Sequence, residues 1–563
     1  MTDTTHFPQL AAQHNESFYW LNDDSREFLR NGYLLDGVTA EERVREIAEN
    51  AEDILDEDGF ADKFYEYMSR GYYSLASPIW SNFGLDRGLP ISCFGSHIED
   101  SIESILFTHA EVGQMTKLGG GTSGYLGDLR PRGAPITNNG KSNGSYSFTE
   151  LFDTAINVIS QGETRRGQFA GYIDIEHPDL DEWLNIKTEG DPVQDIYYGV
   201  IVGDEWFQAM IDGDEQKRAK WAKIIETRIN IGVPYIIFRG NMNDGKPQVY
   251  KDKDYKINAS NLCTEIALPS GPDESFVCCL SSMNALHYDE WKDTDAVKTL
   301  TYFLDAVMQE FIDKTDGTQF MQRAVQFAKR HRAIGIGVLG WHSYLQKHMI
   351  PWDSMDAMQK NSAVFSTIKE QSYNASEELA AKFGEPDVLE GYGRRNTTTM
   401  AVAPTKSSSI ILGQISPSVE PLKSNYFVRD GAKLKSTQKN RFLEALLQQK
   451  GHDTRETWDS IMAEDGSVQH LDCLTEHEKD VFKTFAEIPQ MAVIKQAAQR
   501  QQFIDQAQSI NISIDPDTVS IKDINQLYIE AWKRGLKSLY YQKSVNAAQK
   551  FSRDVLECRV CES

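Results

Sequence analysis

The chain has 563 residues, and 40% of them are apolar, so it is long enough for more than one domain and too apolar for a disordered or fibrous protein. The 83 acidic residues outnumber the 58 basic ones, and the net charge of −25 would repel the backbone of a nucleic acid polymer. Because no run of about 18 apolar residues and no signal peptide is present, we expect a cytoplasmic protein that does not enter a membrane.

The predicted elements begin with a helical segment over residues 1–90. Thr39 and Glu42 have the spacing of a capping box, and apolar residues recur behind them at helical intervals. From residue 90 onward, β-rich runs alternate with amphipathic helices; examples of such runs are YYGVIV from Tyr197 and TTTMAVA from Thr397. This alternation predicts an α/β protein with a predominantly parallel sheet or barrel.

Two irregular segments interrupt or end this pattern. Glycine and proline are dense between Gly119 and Gly144, and a loop of that length is usually functional. The polar stretch after Tyr541 carries no strong apolar repeat, and we predict a mobile tail. Its Cys558 and Cys561 could begin a zinc site, but no second cysteine pair or histidine cluster lies at ligand spacing in the tail. A redox pair is the favoured interpretation.

The positions of the seven cysteines carry the functional signal. In a reducing compartment, a small and odd number of cysteines indicates chemistry or core packing rather than a disulfide scaffold. The prominent features are Cys93 in PISCFG, Cys263 in NLCTE, Cys278 in VCCLSSMN, the tyrosine pair in SLYYQKS and the terminal CxxC. Together these features resemble the large, catalytic subunit of the class I ribonucleotide reductases, which convert ribonucleotides to deoxyribonucleotides by thiyl-radical chemistry.

The resemblance assigns the pentad at residues 261–265 to the centre of the active site. In that family an N-x-C-x-E motif occurs on one strand, where period-two geometry turns all three side chains to the same face. It implies that Cys263 carries the radical that removes the 3′ hydrogen, that Glu265 accepts the 3′-hydroxyl proton, and that Asn261 holds the substrate hydroxyl. The glutamate must be ionised for this role, as its reference pKa of about 4.3 permits.

The same resemblance gives two cysteine pairs a role in electron supply. Cys93 and Cys278 would reduce the substrate and end as a disulfide, so their Cα atoms must lie within about 7 Å. Cys558 and Cys561 would then re-reduce that disulfide by thiol exchange, with thioredoxin or glutaredoxin as the external reductant.

Two tyrosines and two further cysteines complete the set. By resemblance, Tyr540 and Tyr541 relay the radical from a small subunit, although two adjacent strand aromatics can also be core residues. Cys279 and Cys473 match no family position, and we expect both to be structural. A strand would turn the first of them away from its neighbour Cys278.

A hydroxyl-rich turn after TTTMAVA resembles the family's loop for the substrate diphosphate. Its sequence PTKSSS is predicted to open a helix, and a helix amino terminus attracts phosphate. The candidate substrate-binding residues are Thr405, Lys406, Ser407 and Ser408 in this turn, with Ser77, Ser92 and Gly121 upstream. Class I resemblance favours a nucleoside diphosphate as the substrate.

The family's specificity site binds a deoxynucleotide or ATP, with Mg²⁺, at the interface of a homodimer. The candidate effector-binding residues are Asp100 in EDSIES, Arg130 in GDLRPRG, and Gln161, Arg165 and Arg166 in SQGETRRG. Many relatives carry an additional amino-terminal ATP-cone for overall activity. Since 92 residues precede Cys93 and most of them are predicted helix, we expect no such domain here.

The resemblance therefore implies a helical region over 1–90, a ten-stranded α/β barrel over 91–545, and a mobile redox tail over 546–563. No metal or cofactor is expected in this chain, because a metal-containing small subunit would supply the radical.

Two alternatives remain open. An adenosylcobalamin-dependent reductase shares the barrel and the thiol chemistry but needs no relay between subunits, so Tyr540 and Tyr541 speak against it. A catalytically inactive nucleotide-binding regulator on the same barrel would not need Cys263 or Glu265, and both are intact.

Overall fold

The structure is a computed structural model that describes residues 6–14, 16–138, 140–161, 166–430, 435–516 and 518–544. None of the helices within these ranges combines the length and the apolarity that crossing a bilayer requires.

The chain begins with a helical region, as predicted. Its elements are α1 (Pro8–Gln13), α2 (Asp23–Arg30), α3 (Ala40–Leu55), α4 (Phe60–Ser69), β1 (Tyr73–Leu75) and α5 (Ser77–Asn82). The capping box at the start of α3 is confirmed: the Thr39 hydroxyl accepts the Glu42 N–H, and the Glu42 carboxylate accepts the Thr39 N–H at 2.8 Å. Val44, Ile47 and Ala51 on one face of α3 are fully buried, so this face joins the region to the main core.

Strands and helices alternate in the rest of the chain. The strands are β2 (Cys93–His97), β3 (Thr122–Tyr125), β4 (Phe169–Asp174), β5 (Tyr197–Val202), β6 (Tyr235–Phe238), β7 (Phe276–Asn284), β8 (Ile334–Leu339), β9 (Tyr426–Asp430), β10 (Lys435–Lys439), β11 (Ile512–Ile514), β12 (Ser538–Leu539) and β13 (Gln542–Ser544). Strand β5 is the predicted run YYGVIV, and this prediction is confirmed.

The helices that follow α5 cover the sheet and its loops. They are α6 (Ile102–Lys117), α7 (Ser145–Val158), α8 (Leu180–Trp183), α9 (Asp204–Asp212), α10 (Glu215–Ile231), α11 (Arg239–Asp244), α12 (Gln248–Asp252), α13 (Tyr288–Trp291), α14 (Ala296–Thr315), α15 (Gln322–His331), α16 (Trp341–Lys347), α17 (Met355–Phe383), α18 (Lys406–Ile411), α19 (Arg441–Lys450), α20 (Arg455–Ala463), α21 (Glu476–Val481), α22 (Gln490–Gln501) and α23 (Ile521–Lys533). Short 3₁₀ helices occupy Ala285–His287 and Asp387–Leu389.

The main sheet is a curled, mixed sheet of nine strands in the order β1-β7-β2-β3-β4-β5-β6-β12, with β8 also paired to β7. Strands β2 to β6 are parallel to one another, and so are β7 and β8. The two parallel blocks meet where β2 runs antiparallel to β7. A predominantly parallel sheet is therefore confirmed, whereas the ten-stranded barrel stays a prediction.

The run TTTMAVA, predicted as a strand, is irregular. It makes two isolated β-bridges, at Met400 with β8 and at Val402 with Gln508. The Asp505 carboxylate accepts the N–H groups of Thr399 and Met400 at 2.8 and 3.3 Å, so these groups do not pair with a neighbouring strand. The predicted strand is therefore reduced to two bridges, because Asp505 takes two N–H groups while other backbone groups of the run still bond to β8 and to residues 506–509.

Two hydrophobic clusters fill the interior. One joins the amino-terminal helices to β7 and β8, and it includes Cys93 and Cys278. The other lies along β3 to β6, and it includes Leu262 and Tyr540, with Cys263 packed against it. Cys93 and Cys278 therefore belong to the first cluster, and Cys263 packs against the second.

Candidate active site

Cys93 and Cys278 face each other across two paired strands. Cys93 is the first residue of β2, and the antiparallel register with β7 places it directly opposite Cys278. Directly opposed residues in antiparallel strands have Cα atoms about 4.5–5.5 Å apart, which is within the range of a disulfide. Both side chains are buried and in the thiol form. This pair can therefore close to a disulfide without a rearrangement of the sheet.

The two cysteines without a family position lie apart from this pair. Cys279 follows Cys278 on β7, and strand alternation turns its Sγ to the opposite side, where it donates to the Leu304 carbonyl at 3.2 Å. Cys473 is partly buried at the edge of the main core. The predicted reversal of Cys279 is confirmed.

The loop at residues 261–265 is a turn, and the prediction that it is a strand is wrong. The Thr264 N–H bonds to the Asn261 carbonyl at 3.4 Å, and Thr264 has a φ of 69°, which no strand residue adopts. The Asn261 side-chain carbonyl accepts the Ile266 N–H at 3.1 Å and holds the turn closed. The loop therefore follows its own side-chain hydrogen bonds rather than a neighbouring strand.

The turn nevertheless brings the predicted side chains together. The Asn261 amide Nδ2 donates to a Glu265 carboxylate oxygen at 3.0 Å and lies 3.7 Å from Cys93 Sγ. The Tyr172 hydroxyl donates to the Asn261 carbonyl at 2.5 Å and fixes the start of the turn from β4. Asn261 thus links the general-base candidate to one sulfur of the redox pair.

Glu265 is buried and its carboxylate has two donors. One oxygen accepts Asn261 Nδ2, and the other accepts the Ser509 hydroxyl at 3.0 Å. Burial raises the pKa of Glu265 to about 7, because a backbone hydrogen bond and the two side-chain hydrogen bonds offset only part of the loss of solvation. The expectation that this carboxyl ionises near its reference pKa is therefore wrong, and at neutral pH both forms are populated.

Cys263 is in contact with the tyrosine pair. The Tyr540 hydroxyl lies 3.4 Å from Cys263 Sγ, and the rings of Tyr540 and Tyr541 have centroids 4.3 Å apart. Tyr540 is buried between Tyr541 and Cys263, which are both partly exposed, so the three groups form a continuous chain of contacts. A third tyrosine that the motifs did not reveal, Tyr235 on β6, donates to the Tyr541 hydroxyl at 3.0 Å.

Ser509 also escaped the sequence analysis. Its hydroxyl is within hydrogen-bond distance of two acceptors, the Cys263 carbonyl at 2.5 Å and Glu265 at 3.0 Å. Nothing in the local sequence distinguishes this serine from the others, since its partners are more than 240 positions away. The contact joins the base candidate to the backbone of the radical candidate.

The phosphate-loop candidates lie at the start of α18. Helix α18 begins with Lys406, Ser407 and Ser408, and Thr405 immediately precedes it. The Thr405 hydroxyl accepts the Ser418 N–H at 2.7 Å. Helix α18 contacts β1, the strand that leads to Ser77.

The other two substrate-binding candidates adjoin Cys93. Ser92 Oγ lies 3.9 Å from Cys93 Sγ, and Gly121 bridges to Cys93 and donates its N–H to the Ser92 carbonyl at 2.7 Å. A Cβ at Gly121 would stand 3.2 Å from that carbonyl oxygen, so glycine permits this close approach.

The effector candidates form two groups. Arg130 Nε donates to the Asp100 carboxylate at 2.8 Å on the surface. Gln161 is buried, with Nε2 3.1 Å from Asn82 Oδ1, and Arg166 is exposed. Arg165, together with the tail cysteines 558 and 561, lies outside the described residues.

Comparison with known proteins accounts for nearly the whole chain. The family model described as "Ribonucleotide reductase, barrel domain" matches residues 91–220, 216–388 and 386–542, and the model described as "Ribonucleotide reductase, all-alpha domain" matches residues 19–88. The chain therefore belongs to the ribonucleotide reductase family.

Its relatives in this family are large subunits. It is 36% identical to the putative ribonucleoside-diphosphate reductase large subunit of Frog virus 3, over 89% of this chain and 92% of that protein. It is 32% identical to the ribonucleoside-diphosphate reductase large subunit of Invertebrate iridescent virus 3, over 92% of each. The solved structure of the Actinobacillus ureae class Id ribonucleotide reductase alpha subunit superposes with a TM-score of 0.90 at 61% identity, over 95% of this chain and 99% of that one. The predicted resemblance to a class I large subunit is confirmed.

Proposed function

We propose that this chain reduces ribonucleoside diphosphates to 2′-deoxyribonucleoside diphosphates for the synthesis of DNA precursors. The observation that carries the proposal is the cluster in which Cys93 and Cys278 face each other, Asn261 bonds to Glu265 beside them, and Tyr540 contacts Cys263. A cobalamin-dependent enzyme has no need of the tyrosine contact, and an inactive regulator has no need of the opposed thiols.

The first step is the removal of the 3′ hydrogen by a Cys263 thiyl radical. Glu265, in its ionised form, accepts the 3′-hydroxyl proton, and Asn261 holds the substrate hydroxyl. In the free enzyme, Asn261 Nδ2 donates a hydrogen bond to Glu265. When the substrate binds, its hydroxyl would take the place of that amide as the donor to the carboxylate. The Glu265 carboxylate would therefore keep a hydrogen-bond donor before and after the substrate binds.

The second step is the reduction of C2′ by the thiol pair. The C2′–OH bond breaks, water leaves, a C2′–H bond forms, and Cys93 and Cys278 end as a disulfide, so that two thiols supply the two hydrogens and two electrons. Cys263 then returns the hydrogen atom to C3′ and Glu265 returns the proton to the 3′ oxygen, which restores the thiyl radical and the carboxylate. The in-register placement of the two residues supports this role, since the product disulfide requires their side chains to be adjacent.

The radical enters along Tyr541, Tyr540 and Cys263. The 3.4 Å contact between the Tyr540 hydroxyl and Cys263 Sγ allows a hydrogen atom to pass directly. Loss of solvation around its hydroxyl raises the pKa of Tyr541 well above its ordinary value, although the residue as a whole is partly exposed, so each transfer must move a proton together with the electron. A radical-generating small subunit with its own metal is the partner that this path requires.

The disulfide returns to thiols by exchange with the tail cysteines, Cys558 and Cys561, which thioredoxin or glutaredoxin then reduces. The tail over 546–563 acts as the carrier. Its role rests on the sequence motif and on the family, because these residues lie outside the described ranges.

The substrate and effector nucleotides bind at separate places. The phosphate candidates from Thr405 to Ser408, with Ser77, Ser92 and Gly121, hold the substrate diphosphate. The effector, a deoxynucleotide or ATP with Mg²⁺, binds near Asp100 and Arg130 at the interface of a homodimer. Exposed apolar side chains on α6 and α7, namely Ile102, Leu106 and Val158, support that interface.

We also propose the finer division of the chain. Residues 1–90 form the helical region, and residues 91–545 form a ten-stranded barrel. The isolated bridges at Met400 and Val402 support the barrel, because they connect β8 to the segment at Gln508 and extend the curled sheet beyond its nine strands.

A turnover assay with a small subunit and a dithiol reductant tests the proposal. Cys263→Ser is expected to abolish deoxynucleotide formation, a loss of at least about a thousandfold, and to leave nucleotide affinity nearly unchanged. Cys473→Ser, at a cysteine outside the cluster, is the matched control and should turn over at the rate of the parent protein. Residual turnover in the first variant would rule out the radical assignment, and activity with adenosylcobalamin in place of the small subunit would favour the alternative class.

A further inference from the structure

Gln506 is a fully buried side chain that bonds to Cys278. Its amide Nε2 lies 3.4 Å from Cys278 Sγ, 3.0 Å from Thr398 Oγ1 and 3.2 Å from the Ile334 carbonyl. Its Oε1 accepts the Ala267 N–H at 3.1 Å. The Gln506 amide therefore connects Ala267, two residues after Glu265, to the sulfur of Cys278 on β7.

The chemistry of its partners fixes which way the amide faces. The Ala267 N–H can only donate, so it must meet the amide oxygen, and the Ile334 carbonyl can only accept, so it must meet the NH₂ group. Thr398 donates its own hydroxyl hydrogen to the Ile334 carbonyl at 3.0 Å, which leaves its oxygen to accept from Gln506. The two hydrogens of the NH₂ group therefore face three acceptors, and one of them can turn to Cys278 Sγ when that sulfur becomes a thiolate.

The other groups around Cys278 oppose a negative charge on its sulfur. Burial raises the pKa of the Cys278 thiol well above its usual value, and Cys279, Cys93 and Glu265 raise it further. The Gln506 amide acts in the opposite direction, because a hydrogen bond to the charged form favours that form.

The two sulfurs of the redox pair are therefore not equivalent. Asn261 Nδ2 lies 3.7 Å from Cys93 Sγ, and that amide is already bonded to Glu265. Cys278 Sγ has the closer amide donor, at 3.4 Å. Cys93 keeps 8% of its surface exposed and Cys278 keeps none, so an incoming thiol reaches Cys93 first. A hydrogen-bond donor on Cys278 Sγ then favours its departure, because a thiol of lower pKa leaves faster in thiol exchange.

We propose that Gln506 is a positioning residue for the re-reduction of the Cys93–Cys278 disulfide, in which it stabilises Cys278 as the leaving thiolate. An incoming thiolate of a dithiol attacks Cys93 Sγ and forms a mixed disulfide, and the electron pair of the broken bond goes to Cys278 Sγ. The second thiol of the dithiol then releases Cys93, and the two protons from the dithiol end on the two enzyme thiols. The inference rests on the proposed role of this thiol pair.

The test measures how fast dithiothreitol reduces the Cys93–Cys278 disulfide in the full chain after oxidation with diamide. Gln506→Met keeps the length of the side chain and removes its hydrogen bonds, and it is expected to slow the reduction about tenfold, the value of one hydrogen bond to a charged group. Thr398→Val removes the other side-chain partner of the amide and leaves the sulfur contact. It is the control and should be reduced at the rate of the parent protein.

Gln506→Glu gives a second measurement with its own pH signature. The carboxyl group keeps an acceptor for the Ala267 N–H, but on ionisation it loses its donor and repels a thiolate. The rate for the parent protein should rise with pH as dithiothreitol ionises, whereas the ratio of the Gln506→Glu rate to the parent rate should fall as pH rises.

Gln506 could act on Cys278 Sγ or merely hold the backbone at Ala267 in place. A single turnover of the pre-reduced enzyme, with the small subunit supplied, distinguishes these two roles, because it needs no re-reduction of the disulfide. Retained yield together with slow re-reduction supports the inference. If the disulfide is reduced at the parent rate in both Gln506→Met and Gln506→Glu, the inference is overturned. A single-turnover yield of deoxynucleotide that falls by the same factor as the re-reduction rate also overturns it. If the parent protein forms no Cys93–Cys278 disulfide during turnover, it is the proposed function of the pair that fails.

Discussion

The redox pair and the radical cysteine are held in place by two different kinds of structure. Cys93 and Cys278 lie on paired strands, where the backbone ladder sets their separation. Cys263 lies on a turn whose position depends on side chains: Tyr172 bonds to the Asn261 carbonyl, and Ser509 is within hydrogen-bond distance of the Cys263 carbonyl. Two sulfurs that must bond to each other need a fixed distance, whereas a sulfur that must receive a radical and meet a substrate needs contacts on several sides.

The largest expected effect concerns the strand-borne pair. Cys278→Ser should lower steady-state turnover by at least about a thousandfold, since serine cannot form the disulfide. Cys279→Ser changes the neighbouring cysteine, which points to α14, and should retain turnover at a modest cost in stability. Turnover with thioredoxin or dithiothreitol is measured for both variants. Equal losses of activity in Cys278→Ser and Cys279→Ser would contradict the assignment of Cys278 to the redox pair and of Cys279 to the core.

The next effect concerns the base on the turn. Burial raises the pKa of Glu265 to about 7, and the base must be ionised to act, so kcat/KM should fall as pH drops through about 7. Glu265→Gln should lower kcat by about 10²–10⁴-fold and remove this acid limb. The pH profile of the parent enzyme with saturating small subunit is the measurement, and a limb near the reference pKa of about 4.3 would contradict the assignment.

A smaller effect is expected at Ser509, which supports the turn from outside. Ser509→Ala removes a donor that lowers the pKa of Glu265, so the acid limb should move to higher pH. Loss of a hydrogen bond to a charged group corresponds to about a tenfold decrease in kcat near neutral pH. Ser513→Ala, on β11, is a control, and an unchanged limb in Ser509→Ala would show that the contact does not tune the base.

The smallest effect is expected at Tyr235, beside the relay. Tyr235→Phe keeps the ring against Tyr540 and removes the hydroxyl that donates to Tyr541. A neutral hydrogen bond contributes about 1 kcal/mol, so a decrease of roughly fivefold in turnover is expected, with unchanged nucleotide affinity. Tyr197→Phe, at a tyrosine that stacks on Tyr235, is the comparison variant. Equal rates in Tyr235→Phe and the parent would remove Tyr235 from the path.

Local patterns predicted local structure well. The Thr39–Glu42 capping box and strand β5 follow from short-range spacing, and both are present. The same approach failed for NLCTE and was only partly right for TTTMAVA. A side chain inside the pentad, Asn261, closes it into a turn, and the carboxylate of the distant Asp505 takes two N–H groups of the second segment. Strand propensity describes a pleated backbone with paired neighbours, and the second segment keeps such neighbours only at isolated bridges to β8 and to Gln508.

The amino acid sequence by itself determined the family, the cysteines, the base and the alternation of strands and helices, because these depend on residue types at short spacings and on their order along the chain. Only the tertiary structure decided that Cys93 stands opposite Cys278, that Glu265 has a pKa near 7, and that Ser509, Gln506 and Tyr235 surround the sulfurs. The physical reason is separation along the chain: burial and hydrogen bonds between groups hundreds of residues apart leave no local pattern.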